Sequence, residues 1–301
     1  MTGARTSAIL LATLLLAPAP ALAHGGGVEL AVDPWLGLPL LGSGLLYLAG
    51  WRRLALRRQG RPAAGRATGA RRRALLFAAG WLLLALPVIT PLHVWGGRSF
   101  AAHMVEHEII MVLAAPLLAL GRPLGVLLWG LPDRLRRRLV RAGRTGLRGT
   151  WRRLTDPLTA TLLQTVVLWL WHIPAAFEAA VTTPVLHAAQ HASFLGAALL
   201  FWWALSVGRA GRLGHGAAAL CQFLTALQSG LLGTLLTLAR TPWYPTYAAQ
   251  AGGRLSPLED QQLAGLVMWI PAGLVHAAAA FVLIALWLNR SGRGRDVLWA
   301  E

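Results

Sequence analysis

The sequence has no lysine and a single cysteine, Cys221, in 301 residues. One thiol cannot close an intramolecular disulfide and leaves no C-x-x-C pair for zinc or thiol redox chemistry. Any metal site must therefore be built from histidine, methionine and carboxylate. Charge is scarce as well: 13% of residues are charged and 11 are acidic, against 56% hydrophobic. A soluble domain carries about 25% charge, so this composition excludes one and indicates an integral membrane protein. Neither a Gly-rich phosphate loop nor a G-x-S-x-G turn is present, which leaves phosphate-cradling and acyl-transfer enzymes of those types without support.

What charge there is has one dominant sign. The formal net charge is +17 and all 28 basic residues are arginine. They gather in short segments between apolar runs, the positive-inside pattern of membrane proteins, and this argues against nucleic acid as a partner.

Residues 1–23 carry one early Arg, an apolar stretch and the small-x-small ending Ala21-Leu22-Ala23, which resembles a secretory signal peptide; an uncleaved first helix is the alternative. Seven further runs approach the roughly 20 apolar residues that cross a bilayer core: 34–51, 74–92, 100–120, 157–173, 185–207, 216–238 and 262–288. The expected fold is an all-α, seven-transmembrane-helix bundle over 24–290 after the signal peptide, with a tail at 291–301. Segments 52–73, 121–156, 208–215 and the stretch after 288 hold 24 arginines, whereas 93–99, 174–184 and 239–261 hold 3. The positive-inside rule then puts the N terminus outside after cleavage and the C terminus in the cytoplasm, as expected of a multi-pass membrane protein with an exported leader. Within the Arg-rich segments, 52–73 has no apolar period and reads as a linker against anionic headgroups. In 131–141 Leu131, Leu135 and Leu139 recur every four residues among arginines, which reads as a short interfacial helix.

The third run, Phe100 to Pro123, bears His103, Glu106, His107 and Glu108 near one end. Ionisable groups in a spanning helix cost a few kcal/mol each on insertion scales and mark function. Spacing by four puts His103, His107 and Met111 in one stripe with Glu106 beside them. The fifth run opens with His187 and His191, again four apart, and the fourth ends in Trp171-His172. With the topology above, His103, His107, His172, His187 and His191 all fall in the outer third of the membrane, and His93 can join from the loop between the second and third runs. His215 and Cys221 fall at the inner end of the sixth run, and His276 lies about 20 Å into the seventh; these are left out. Neutral imidazole suits copper, zinc and haem iron, and a nearby Met favours Cu(I). Glu106 is expected to orient a ring N–H, and Glu108, about 100° around the helix from His107, to face a neighbour.

The stretches HMVEHEIIMVLAAPLLALGRP, WLWHIPAAFEAAVTTPVLHAAQHASFLGAALLFWWAL and EDQQLAGLVMWIPAGLVH resemble, in this order over residues 30 to 290, the CtaG family of bacterial cytochrome c oxidase assembly factors associated with caa-type oxidases. The shared elements are H-M-x-x-H, W-H-x-P, H-x-x-x-H followed by FWW, and the entry to the last helix at Gln261, Gln262, Met268, Trp269 and Pro271. Family members commonly carry a Gln or other polar residue where Glu106 stands and an apolar one where Glu108 stands. The resemblance implies a non-enzymatic role in maturing a terminal oxidase, with oxidase subunits and the bilayer as partners and copper as the expected metal. Met268 is an accessory candidate from the seventh run. Two other classes remain at this point: a haem-binding redox protein with one His from each of two helices, and a zinc-dependent membrane hydrolase using Glu106 as general base.

Overall fold

The structure is a computed structural model that describes residues 34–58, 64–146, 148–208, 210–249 and 255–298. The signal peptide expected at 1–23 and the last three residues of the tail lie outside the described residues. Helices make up nearly all of the rest, with no strand among the described residues. In chain order these are α1 (Pro34–Arg58), α2 (Ala64–Ile89), α3 (Leu92–Gly96), α4 (Phe100–Glu108), α5 (Ala115–Gly121), α6 (Leu124–Gly130), α7 (Asp133–Thr145), α8 (Arg148–Leu154), α9 (Pro157–His172), α10 (Pro174–Thr182), α11 (Pro184–Trp203), α12 (Ala210–Thr237), α13 (Pro245–Ala248) and α14 (Pro257–Leu298). A π-helical segment, Ile109–Ala114, joins α4 to α5, and another, Ala204–Gly208, follows α11.

Five stretches are long and apolar enough to cross a bilayer: Thr68–Ile89, Phe100–Gly121, Pro184–Val207, Gly214–Thr237 and Pro257–Asn289. The pair α9 and α10, bent by 75° between His172 and Pro174, makes a sixth if taken as one broken span. The bend follows from Pro174, which cannot donate a helical N–H and biases Ile173 to the extended conformation it adopts. The sequence expectation of seven spans thus meets five or six here. α1 is a 25-residue helix but is less apolar, with four glycines and an arginine-rich end. Two segments expected as connections are also helical. Residues 174–184 contain α10, and the supposed linker 52–73 is helical through Arg58 and again from Ala64, because Arg and Ala are good helix formers that extend an adjoining helix at little cost. The interfacial helix read at 131–141 is α7, whose Leu135, Leu139 and Val140 are exposed among arginines.

The span Phe100–Gly121 is the centre of the bundle: 67% of it is buried, against 22% for Thr68–Ile89 and for Pro257–Asn289. Around it the outer faces are apolar stripes at helical spacing, such as Leu158, Leu162, Val166 and Leu170 of α9, all exposed. In a protein this apolar, such stripes face lipid. Two contacts bring backbones together through glycine. A Cβ on Gly50 of α1 would lie 1.9 Å from the Val126 carbonyl oxygen and one on Gly130 would lie 2.1 Å from that of Leu46, so α1 docks against α6 with no side chain between. Gly233 of α12 and Gly265 of α14 do the same for the most extensive helix pair. Small residues at such crossings are how membrane helices gain close packing in the absence of a hydrophobic drive between them.

Candidate metal site

The site is built where one end of α4 meets α3, α9, α11 and the loop around α13. Asp260, near the start of α14, reaches across to α4. Its carboxylate accepts from the Ser99 hydroxyl (2.7 Å) and from the backbone N–H groups of Phe100 (2.6 Å) and Ala101 (3.3 Å). Ser99 itself caps Ala102. A carboxylate on a helix N terminus satisfies orphan donors and complements the dipole, and here it fixes the rotation of the helix that carries His103 and His107. Asp260 is placed in turn by a capping box: Ser256 and Glu259 bond each other's backbone N–H at the start of α14.

On this frame the imidazoles converge. His103 and His107 rings are 4.5 Å apart by centroid, His187 and His191 4.3 Å, His103 and His187 5.3 Å, and His107 and His191 5.2 Å. His103, His187 and His191 each offer a ligand atom, all within 4.8 Å of one another. Two metal–nitrogen bonds of about 2 Å span about 4 Å, so small ring movements bring the three to one ion. His172 stands further out, 6.4 Å from His107. Its Nδ1 donates to the Leu168 carbonyl at 2.7 Å, which fixes the tautomer and leaves Nε2 unprotonated. His93, carried by the single turn of α3, lies 5.3 Å from the His187 ring.

The acids occupy different places. Glu106 is buried (1% exposed), with Oε2 3.4 Å from His93 Nδ1 and 3.9 Å from His191 Nε2. Glu108 is half-buried, and its Oε2 has no hydrogen-bond partner among the described residues. Met111 and Met268 both lie in the main buried apolar cluster. The π-helical segment begins directly after Glu108, and its wider turn breaks the four-residue stripe that would stack Met111 under His107. The Met111 carbonyl instead accepts from Trp202 Nε1 at 3.0 Å. His276 is buried elsewhere, bonded to Gln222 and stacked on Trp202.

Several functional groups escape a reading of spacing alone. Tyr247 donates its hydroxyl proton to the Gly96 carbonyl (2.7 Å), so toward His103 Nδ1 (3.2 Å) its oxygen can only accept. That puts the His103 proton on Nδ1 and leaves Nε2 bare. Burial, helped by Glu106, Asp260 and Glu178, pushes the Tyr247 phenol above its ordinary pKa, so it stays a donor. Glu178 of α10 holds Tyr247's neighbour Thr246 through its backbone N–H and hydroxyl. Gln261 and Gln262 bond the Trp243 N–H and the Ala239 carbonyl, tying the same loop to α14. Gln190 is fully buried beside His103. The partners of this loop lie 18 to 151 residues away in sequence, so spacing does not reveal them.

Buried imidazole nitrogens without a hydrogen-bond partner among the described residues are His103 Nε2, both nitrogens of His107, His172 Nε2 and His191 Nε2. Such a donor set, neutral and convergent, fits a soft or borderline metal ion. No curated protein and no solved structure matches the chain. A family model, the cytochrome c oxidase caa3 assembly factor, matches residues 45–290. With six apolar helices or helix pairs, the Asp260-capped α4 and both H-x-x-x-H pairs inside that stretch, the chain belongs to the Caa3_CtaG family of cytochrome c oxidase assembly factors.

Proposed function

We propose that the chain takes up copper as cargo between His103, His107, His187 and His191, with His172 and His93 at the margin, and passes it to a subunit of a cytochrome c oxidase. The observation that carries this reading is the group of five buried imidazole nitrogens, on α4, α9 and α11, that no protein group satisfies among the described residues. Each unsatisfied buried polar atom costs about 1–3 kcal/mol, so a ligand that completes the arrangement would be held strongly. Rings from α4 and α11 contact one another at 5.2 to 6.2 Å, which favours a small ion over a haem held between these helices. Glu106, beside both His93 and His191, is suited to orient rings, as acids behind metal-bound imidazoles do, more than to activate water for a zinc hydrolase. Met111 and Met268 sit in the adjoining apolar cluster, where modest movement would add a thioether favouring Cu(I). In the same reading α1 is a seventh span, residues 1–23 are a cleaved leader, and the histidine end faces outside.

The test is His103→Gln with His107→Gln. Glutamine keeps bulk beside Phe177 and Phe194, which touch these rings, whereas alanine would open a cavity costing a few kcal/mol. The purified double variant is expected to lose most bound copper at unchanged abundance. Cells carrying it should make oxidase polypeptide without activity, partly restored by added copper through mass action. His215→Gln, at the far end of α12, should change neither. Full oxidase activity in the double variant at limiting copper would overturn the reading, as would haem or zinc as the only species bound to the native protein.

A further inference from the structure

The arginine-rich end of the bundle holds a second built cavity, about 270 Å³, that the metal reading does not use. α4, the π-helical segment and α5 separate it from His103 by roughly 28 Å at 1.5 Å per residue. Its walls are Tyr47, Trp51 and Leu54 of α1, Arg73 of α2, Arg122 at the end of α5, and Trp129 of α6. Tyr47 is the floor: it is 6% exposed and its ring stacks on Phe77 at 3.7 Å. The backbone packing of α1 on α6 through Gly50 and Gly130 fixes the distance between opposite walls.

The mouth is positive. Trp129 carries the Arg57 guanidinium 4.6 Å from its ring centroid and that of Arg136 at 3.9 Å. Arg53 bonds the carbonyls of Trp129 and Leu131 at 3.1 and 2.7 Å. With Arg73 and Arg122 this makes five guanidinium groups, and Asp133 forms an ion pair with Arg136 alone, at 2.9 Å. Arg122 adds a second kind of evidence. It is the only non-glycine residue with positive φ among the described residues, at φ 48 and ψ 54. Left-handed backbone costs a residue with a Cβ roughly 1 kcal/mol relative to glycine, and such strain concentrates where a side chain has a ligand to hold. The preceding residue is Gly121, whose Cβ would lie 3.0 Å from the Phe77 nitrogen. The strained position next to it nevertheless carries an arginine.

An aromatic slot with a cationic mouth fits an amphiphile with an anionic head. α7 settles where that amphiphile comes from: its exposed Leu135, Leu139 and Val140 among arginines place this end at the headgroup level of the bilayer. We infer that the cavity is a site for one anionic glycerophospholipid, its phosphodiester held by Arg73 and Arg122 and the start of an acyl chain lying against Tyr47 and Trp51. Basic pockets between spanning helices hold lipid headgroups by this combination of charge and apolar contact.

The test uses the full chain purified in a neutral detergent, with thermal unfolding followed on addition of phosphatidylglycerol, phosphatidylcholine or glycerol 3-phosphate. Phosphatidylglycerol should raise the midpoint, and the zwitterionic lipid and the free phosphate ester should not. In Arg73→Gln with Arg122→Gly the midpoint without lipid should hold or rise, because glycine relieves the left-handed backbone, while lipid binding weakens about fivefold per arginine removed. Native mass spectrometry should show one retained anionic phospholipid on the wild-type chain and none on the variant. Arg122→Gly alone, which keeps Arg73, should give an intermediate loss. An equal response to phosphatidylcholine, an equal response to glycerol 3-phosphate, or an undiminished shift in the double variant would overturn the inference.

Discussion

At the scale of single residues, the chemistry proposed for the imidazole cluster depends on which nitrogen of each ring is bare, and that is decided by groups outside the cluster. Tyr247 is the clearest case. Its proton goes to the Gly96 carbonyl, so it accepts from His103 Nδ1 and leaves Nε2 as the bare nitrogen of that ring. Tyr247→Phe removes both bonds with almost no change of volume. The His103 ring is then free to flip, and affinity for copper should fall about 10- to 100-fold, the usual effect of removing a group behind a metal ligand. A competition titration with a Cu(I) chelator measures this directly. Unchanged affinity would mean that packing against Phe177 alone orients His103. The pairing of His103 with His107 and of His187 with His191 was legible in the sequence because i, i+4 spacing is a local rule. The roles of Tyr247, Glu178 and Asp260 were not, since each acts across 68 to 161 residues of sequence.

At the scale of helices, close backbone approach sets the geometry. Gly50 and Gly130 join α1 to α6, and a methyl group at Gly50 would sit 1.9 Å from a carbonyl oxygen that belongs to the other helix. The backbone must move apart, so Gly50→Ala should destabilise the protein by about 1–3 kcal/mol, the ordinary cost of overpacking. Gly42, on the same helix, has nothing within 4 Å of its would-be Cβ, so Gly42→Ala should be neutral or stabilise by up to about 1 kcal/mol through helix propensity. Thermal unfolding of the two variants in one detergent separates close packing from propensity, and equal midpoints would contradict the docking of α1 on α6. Apolar period gave the positions of the long helices, but not the two π-helical segments. Those have no local sequence signature: the segment after Glu108 is held by a distant donor, Trp202, that takes the Met111 carbonyl. The bend at Ile173-Pro174 was readable from proline chemistry, while the helix beyond it, α10, sits where a connection was expected.

At the scale of the whole molecule, the two ends differ in charge and chemistry, and the function proposed requires a particular orientation. In the sequence, segments 52–73, 121–156, 208–215 and the stretch after 288 hold 24 arginines, and segments 93–99, 174–184 and 239–261 hold 3. Because arginine resists transfer across the bilayer, such an imbalance orients a multi-spanning chain with the basic end in the cytoplasm. The native cysteine helps to test this, since Cys221 is buried, 2% exposed, and should be silent to a membrane-impermeant thiol reagent. Leu255, two residues before α14, and Leu139, on α7, are 43% and 45% exposed. Leu255→Cys should therefore be labelled in intact spheroplasts, and Leu139→Cys only after lysis. Labelling of both positions from the same side would break the topology on which the single imidazole cluster rests. Labelling of Leu139→Cys alone in intact cells would turn the histidines toward the cytoplasm and require copper to be loaded from within. The expected result leaves the cluster, with Tyr247 beside His103, on the outer side, the side from which the proposed function needs copper and an oxidase subunit to reach it.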